Sequence, residues 1–254
     1  MKDYQQYDIM ITIEDLSIHY GRKRVLSNIY LQIQAGTVIG VIGPNGAGKS
    51  TLFKAILGLT EISSGKISFE KQDIKKWRSK IAYVPQKDLI DWTFPATVED
   101  IVLMGRYAGK KVFQWLNKKD RQLAIGAMEE MDILHLRNRQ IGELSGGQQQ
   151  RVFIARALAQ EADFIFLDEP FVGVDIITEE KTVQTLKKLA AQNKLLMVVH
   201  HDLSTVESYF DEVLLINQRL IAYGPVSDTF TPDNIAKTFG GQLTILQKAG
   251  LVHR

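Results

Sequence analysis

Apolar and polar residues alternate through IMITIEDLSIHY (Ile9–Tyr20), and again through VLSNIYLQIQAG. Each segment is predicted as a strand with one face buried and one in water. The pattern then changes. TVIGVIG (Thr37–Gly43) is nearly all apolar, as are ADFIFLDEP up to its acids and LLMVVHH up to its histidines. Strands apolar on both faces belong inside a parallel sheet covered by helices. STLFKAILGL, after a glycine-rich loop, and RQLAIGAMEEMDIL place apolar residues at helical intervals. Strand, loop, helix is the opening of an α/β unit. From about Asp88 to Gln160 the patterns are mainly helical, so an α/β core interrupted by a helical subdomain is predicted. No internal repeat, low-complexity tract or long linker breaks it.

Composition changes this picture little. The 254 residues are 45% hydrophobic and 24% charged, enough for one large domain or two intimate subdomains. The net charge is +2 with both signs interspersed, so no basic stripe for nucleic acid stands out. Without cysteine there is no disulfide and no thiolate metal site. The N-terminal MKDYQQYDIMITIEDLS is too polar for a secretory signal, and runs such as LLMVV fall far short of a membrane helix. The chain is therefore expected to be soluble. Any membrane-spanning part would come from another chain.

The chemistry is carried by three motifs. GPNGAGKS (Gly43, Pro44, Asn45, Gly46, Ala47, Gly48, Lys49, Ser50) lies between a buried strand and a helix. Its glycines let backbone amides turn toward a phosphate chain, Lys49 can reach the β- and γ-phosphates, and Ser50 can hold Mg²⁺. The helix that follows presents its positive end to the anion. FIFLDE (Phe164–Glu169) ends in two carboxylates. Alone, such an ending is usually a solvated strand end. Beside a phosphate loop, Asp168 is placed to bind Mg²⁺ through water and Glu169 to polarise the water that attacks the γ-phosphate. In LSGGQQQRVFIARAL, Ser145 can cap a helix, while Gly146 and Gly147 permit close backbone approach. Val152, Phe153, Ala155, Ala157, Leu158 and Ala159 then form an amphipathic face.

With these motifs in this order, the chain resembles ATP-binding-cassette (ABC) ATPases over nearly its whole length. The resemblance implies a single α/β domain over residues 1–254: a P-loop NTPase core with an N-terminal antiparallel β subdomain (1–87 and 161–223), an inserted α-helical subdomain (88–160) and a short tail (224–254). It implies ATP and Mg²⁺ as cofactors. Gly43 to Ser50 and Thr51 would bind the phosphates, and Tyr20 would stack on adenine. Gln86, in YVPQ, would link the helical subdomain to a Mg²⁺ site shared with Ser50 and Asp168. Glu169, His201 and Gln86 would be the catalytic group. Ser145, Gly146, Gly147 and Gln148 would complete the site of a second copy, and Asp175 would cross between the copies, so that two chains sandwich two ATP molecules head to tail. In VVHHDL, the resemblance gives the γ-phosphate contact to His201, with His200 in a slot usually filled by threonine. Adjacent strand residues face opposite sides, which argues against a chelating His200–His201 pair. His200 is expected to be structural, and a threonine there to leave ATPase activity largely intact. His19, His135 and His253 are scattered and carry no signal.

The resemblance also implies partners: a multi-span membrane permease, through which the chain sits peripherally on the cytoplasmic face of the cell membrane, and indirectly an extracytoplasmic metal-binding protein. No nucleic acid is expected. Trp92, Phe94, Tyr107, Phe113 and Trp115 concentrate before the LSGGQ segment, and those left exposed together would form a docking patch for a permease helix. FPATVEDIVLMGRY, FLDEPFVGVD and VVHHDLSTVESYFDEVLLIN resemble bacterial metal importers, with manganese favoured, then zinc or chelated iron. The alternatives are another importer cargo, or a non-transport ABC ATPase of translation or DNA repair. Against these stand a single cassette here and the lack of a long coiled coil between the motifs.

Overall fold

The computed structural model describes residues 10–111 and 114–240. The polar N-terminal segment before Met10, Phe113, His253 and the end of the tail lie outside the described residues. In chain order the elements are β1 Met10–Tyr20, β2 Lys23–Gln34, β3 Val38–Ile42, α1 Lys49–Ile56, β4 Ser64–Phe69, β5 Ile81–Val84, α2 Val98–Met104, α3 Lys118–Glu130 and α4 Gly146–Ala159. Then follow β6 Phe164–Asp168, α5 Ile176–Ala191, β7 Leu195–His200, α6 Val206–Tyr209, β8 Glu212–Ile216, β9 Leu220–Pro225, α7 Val226–Thr229 and α8 Pro232–Phe239.

Two sheets organise these elements. A small antiparallel sheet runs β2-β1-β4, and a six-stranded sheet runs β5-β6-β7-β3-β8-β9. The first five strands of the larger sheet are parallel, and β9 joins β8 antiparallel at the edge. The all-apolar strands sit at its centre because both faces are covered. In β3, Ile39 and Val41 face the small sheet and α1, while Val38 and Ile42 face the helical side; β7 divides Met197 and Val199 from Leu196 and Val198 in the same way. Edge-to-face pairs join α1 to the larger sheet through Phe53 on Phe166 (5.3 Å) and the two sheets to each other through Phe69 on Phe164 (4.8 Å). In the small sheet the alternation of β1 breaks at a bulge, where Asp15 and Asn28 both take left-handed φ and the Asn28 amide donates to the Asp15 carboxylate at 2.9 Å.

The helical subdomain packs against the β5 edge. Each of α2, α3 and α4 opens with a capping box, formed by Thr97 with Asp100, Asn117 with Asp120, and Ser145 with Gln148. Arg156 of α4 donates to the Tyr83 carbonyl at 2.9 Å, and Gln160 donates to the Ile81 carbonyl at 2.7 Å. These bonds tie the helix carrying LSGGQ to the strand that precedes Gln86. One expectation needs correction. α4 is less amphipathic than its apolar residues suggest: Gln149, Gln150 and Ile154 are buried too and Leu158 only partly, because the helix runs between the core and α2 and α3. β9 ends at Pro225, and the segment after it folds onto the core. Ile235 and Thr238 of α8 are buried, and Asn217 donates to the Thr238 carbonyl at 2.8 Å.

Candidate functional site

The loop leaving β3 turns through left-handed backbone at Gly46 (φ 78°) and Gly48 (φ 96°). At Gly48 a side chain is doubly excluded, since a Cβ there would stand 2.5 Å from Leu26 Cδ2. α1 starts directly afterwards with no side-chain cap and no acid in its first turn, so its positive end faces the loop uncompensated. Lys49, only 6% exposed, donates from Nζ to the carbonyls of Gly43 (2.8 Å) and Pro44 (3.0 Å). Burial lowers its pKa, and the neighbouring Glu169 and Asp168 pull the other way.

The end of β6 lies opposite. Asp168 is 2% exposed and accepts from Tyr83 Oη (3.3 Å) and Ser50 Oγ (3.4 Å). Burial raises its pKa. The chain turns sharply at Glu169 (φ 53°), a left-handed conformation that costs energy for a residue with a side chain. The Glu169 carboxylate accepts from Gln86 Nε2 at 2.8 Å on one oxygen and meets His201 Nε2 on the other. Loops after β3, β5, β6 and β7 thus converge at the carboxyl ends of parallel strands, where open α/β sheets place their ligands.

An open cleft of about 800 Å³ covers this convergence, lined by Tyr20, Asn45, Gly46, Ala47, Gly48, Lys49, Ser50, Thr51, Gln86, Glu169 and His201. Gly43 and Pro44 sit behind Lys49, and Asp168 sits behind Ser50. Lys23, Arg24, Val25 and Gln218 also line the cleft and were missed in the sequence. The available signal was the tight turn at Gly21, which pairs Tyr20 with Lys23 and His19 with Arg24. Tyr83, the partly buried partner of Asp168, was missed as well.

The structure does not bring the remaining expected residues to this cleft. Ser145 and Gln148 cap α4. Asp175 caps α5 by accepting from Thr178 N at 3.0 Å, the contact that holds its carboxyl below the usual range. These segments adjoin one another instead, since a Cβ on Gly147 would lie 3.7 Å from Asp175 Oδ2 and one on Gly146 3.5 Å from the Gly173 carbonyl. The expected residues therefore fall into two groups, one lining the cleft and one outside its lining.

The adjacent histidines point apart. His201 is about a third exposed (35%) and faces Glu169, whereas His200 is 5% exposed among Phe171, Tyr209 and Phe210. Burial pushes the His200 pKa down from 6.5 to about 4. A depressed histidine pKa means that the unfolded chain binds the proton more tightly. Its contribution to stability is complete above pH 6.5 and is lost as pH falls toward 4. By pH 5 this loss is about 2 kcal/mol. Between pH 7 and pH 5, urea unfolding of the parent is expected to lose about that much more stability than His200→Phe; parallel losses would show that His200 is not the group responsible.

Of the aromatics expected in a docking patch, Trp92 is partly buried with its ring on Phe153 (5.6 Å), while Phe94, Tyr107 and Trp115 are exposed. Leu89 and Met104 are exposed in the same subdomain. Among the described residues, no helix is long and apolar enough to cross a membrane.

The chain is similar to known proteins in both sequence and fold. A family model described as ABC transporter matches residues 26–172. The manganese transport system ATP-binding protein MntB of Halalkalibacterium halodurans is 50% identical, over 94% of this chain and 95% of its own length. The zinc transport system ATP-binding protein TroB of Treponema pallidum is 47% identical, over 92% and 88%. Among solved structures, an inward-facing ABC transporter of metal-chelate type superposes with a TM-score of 0.79 at 30% identity, over 91% of this chain and 88% of its own.

Proposed function

Because this chain belongs to the ABC transporter family and is an ATP-hydrolysing subunit of that family, we propose that it energises a manganese importer as a pair of copies closed head to tail over two ATP molecules. One observation carries the two-copy reading: the phosphate loop, Gln86, Asp168, Glu169 and His201 converge on one cleft, while Ser145, Gly146, Gly147, Gln148 and Asp175 form a second group that does not line it. Each group supplies half of a site, and a second copy would supply the other half. Such a pairing is isologous, so two equivalent sites form together.

In this reading, residues 1–87 and 161–223 hold the nucleotide, and 88–160 carry the closing segment. Tyr20 offers its ring to the base, half exposed at the mouth of the cleft. Asn45 to Thr51, with the amides of the loop and of α1, hold the phosphates. Mg²⁺ fits the donor set of Ser50, Asp168 and the Gln86 amide oxygen, all hard oxygen donors. Asp168 is a buried carboxylate with only two long hydroxyl contacts and a raised pKa, as suits a group that gains a cation. When bound, Mg²⁺ would neutralise charge on the phosphate oxygens. Glu169 draws the proton from the attacking water. Gln86 and His201 hold its two oxygens, so the carboxylate is oriented before the reaction begins. ATP favours the closed pair and loss of the γ-phosphate releases it, which makes the cycle a biased two-state equilibrium.

The work is passed to a membrane permease at the cytoplasmic face, with Phe94, Tyr107 and Trp115 available for docking. The cargo assignment rests on the relatives: the one at 50% identity is named for manganese and the one at 47% for zinc. An extracytoplasmic metal-binding protein would deliver the ion. Translation and DNA-repair roles are set aside, because these relatives are transport-system proteins. The expected result of deleting the gene is a fall in cellular manganese and slow growth in metal-poor medium, both reversed by added manganese. Elemental analysis that finds manganese unchanged would overturn the manganese assignment.

A further inference from the structure

His200 is not in the cleft, yet its ring ties together the two segments that flank the reacting groups. Its Nε2 stands 2.7 Å from Thr205 Oγ1, and that hydroxyl donates to the Asp202 carbonyl at 3.2 Å. A hydroxyl has one proton to give, so His200 is the donor to Thr205 and carries its proton on Nε2. The two bonds close the turn between His201 and Thr205. Inside it, Asp202 Oδ1 accepts from Ser204 N (2.9 Å) and Oγ (2.6 Å). On its other side the His200 ring packs edge-on against Phe171 at 5.6 Å, two residues beyond Glu169. An open groove of about 180 Å³, lined by Glu169, Phe171, His200 and His201 among others, runs along the line where the two segments meet and leaves the His201 side room to move.

We infer that His200 is a positioning residue for ATP hydrolysis: bonded to Thr205 and wedged against Phe171, it sets where the His201 imidazole stands relative to Glu169. The inference rests on the proposed roles of Glu169 and His201. Without the bond, the turn that begins at His201 loses its anchor to β7. The imidazole is then free to shift toward the groove, and small misplacements of a reacting group are costly. A threonine at 200 is too short to reach Thr205 from the strand. Loss of turnover is thus expected for His200→Thr as well, which reverses the expectation drawn from the sequence.

The test compares His200→Phe, His200→Gln and Thr205→Val with the parent chain in steady-state ATP hydrolysis. Phenylalanine keeps the ring packing and loses the donor; glutamine places an amide near the position of Nε2 and can still donate. His200→Phe is expected to lower kcat about 10-fold with KM for ATP within about twofold, since binding does not use this bond. Thr205→Val should match it, His200→Gln should recover most of the loss, and His200→Phe with Thr205→Val should be no worse than either alone. If His200→Phe does not fold, the more exposed Thr205→Val carries the test. Parent kcat in the folded variants, additive losses, or a lowered melting temperature without a kcat effect would overturn the inference. Glu169→Gln, assayed alongside, separates the two levels. If it turns over at the parent rate, the proposed site roles fail; if it is inactive while the His200 and Thr205 variants match the parent, only the positioning role fails.

Discussion

Glu169→Gln is expected to lower ATP turnover by at least about 100-fold while ATP affinity stays within a few fold of the parent, because the amide keeps the shape of the side chain but cannot take a proton. Its place in the structure makes the substitution clean. The side chain lies at the end of a fully buried strand on left-handed backbone, and both oxygens already have partners in Gln86 and His201. A glutamine can fill the same space without collapsing the cleft. With ATP bound and not consumed, the closed pair should accumulate. Light scattering with and without MgATP should then find the variant dimeric with nucleotide and monomeric without it. Turnover near the parent rate would remove Glu169 from the role of base.

Lys49→Ala is expected to act on binding instead. Its ammonium is buried between the loop carbonyls and the two carboxylates, where a charge-assisted contact to phosphate is shielded from water. Losing such a contact costs about 1.5–3 kcal/mol, so ATP affinity should fall about 10- to 100-fold. Titration with a fluorescent ATP analogue measures this directly, and unchanged affinity would contradict the loop's role in holding phosphate.

Much of this could be read from the chain because the informative stretches are contiguous. The phosphate loop, the strand ending in Asp168 and Glu169, and the cap at Ser145 each announce themselves within about ten residues. β3, β6 and β7 could be read because burial on both faces leaves an unbroken apolar run. β4 was missed because its first half is exposed and reads as SGK, and β5 because four residues, IAYV, give too short a pattern. β9 is only partly buried from Leu220 to Gly224, and its Gly-Pro end reads as a turn. In the site, what escaped depends on distant segments meeting: Tyr83 reaches Asp168 across adjacent strands, and Lys23 and Arg24 arrive at the cleft only through the β1–β2 turn. The histidine pair shows the same limit. Alternation along the strand could separate the faces of His200 and His201, but only the folded turn reveals Thr205 as the partner of His200.

The central claim is that each ATP site is built from two copies of the chain, and mixing two inactive variants tests it most directly. Lys49→Ala damages the phosphate-loop half, and Ser145→Arg blocks the LSGGQ half with a bulky side chain. With ATP held well below the raised dissociation constant of Lys49→Ala, each variant alone should show almost no hydrolysis. In an equal mixture, half of the pairs combine one chain of each kind, and each such pair has one site with both halves intact. Activity should therefore recover to roughly a quarter of the parent value. Hydrolysis no greater than the sum of the two variants measured separately would contradict a site shared between copies.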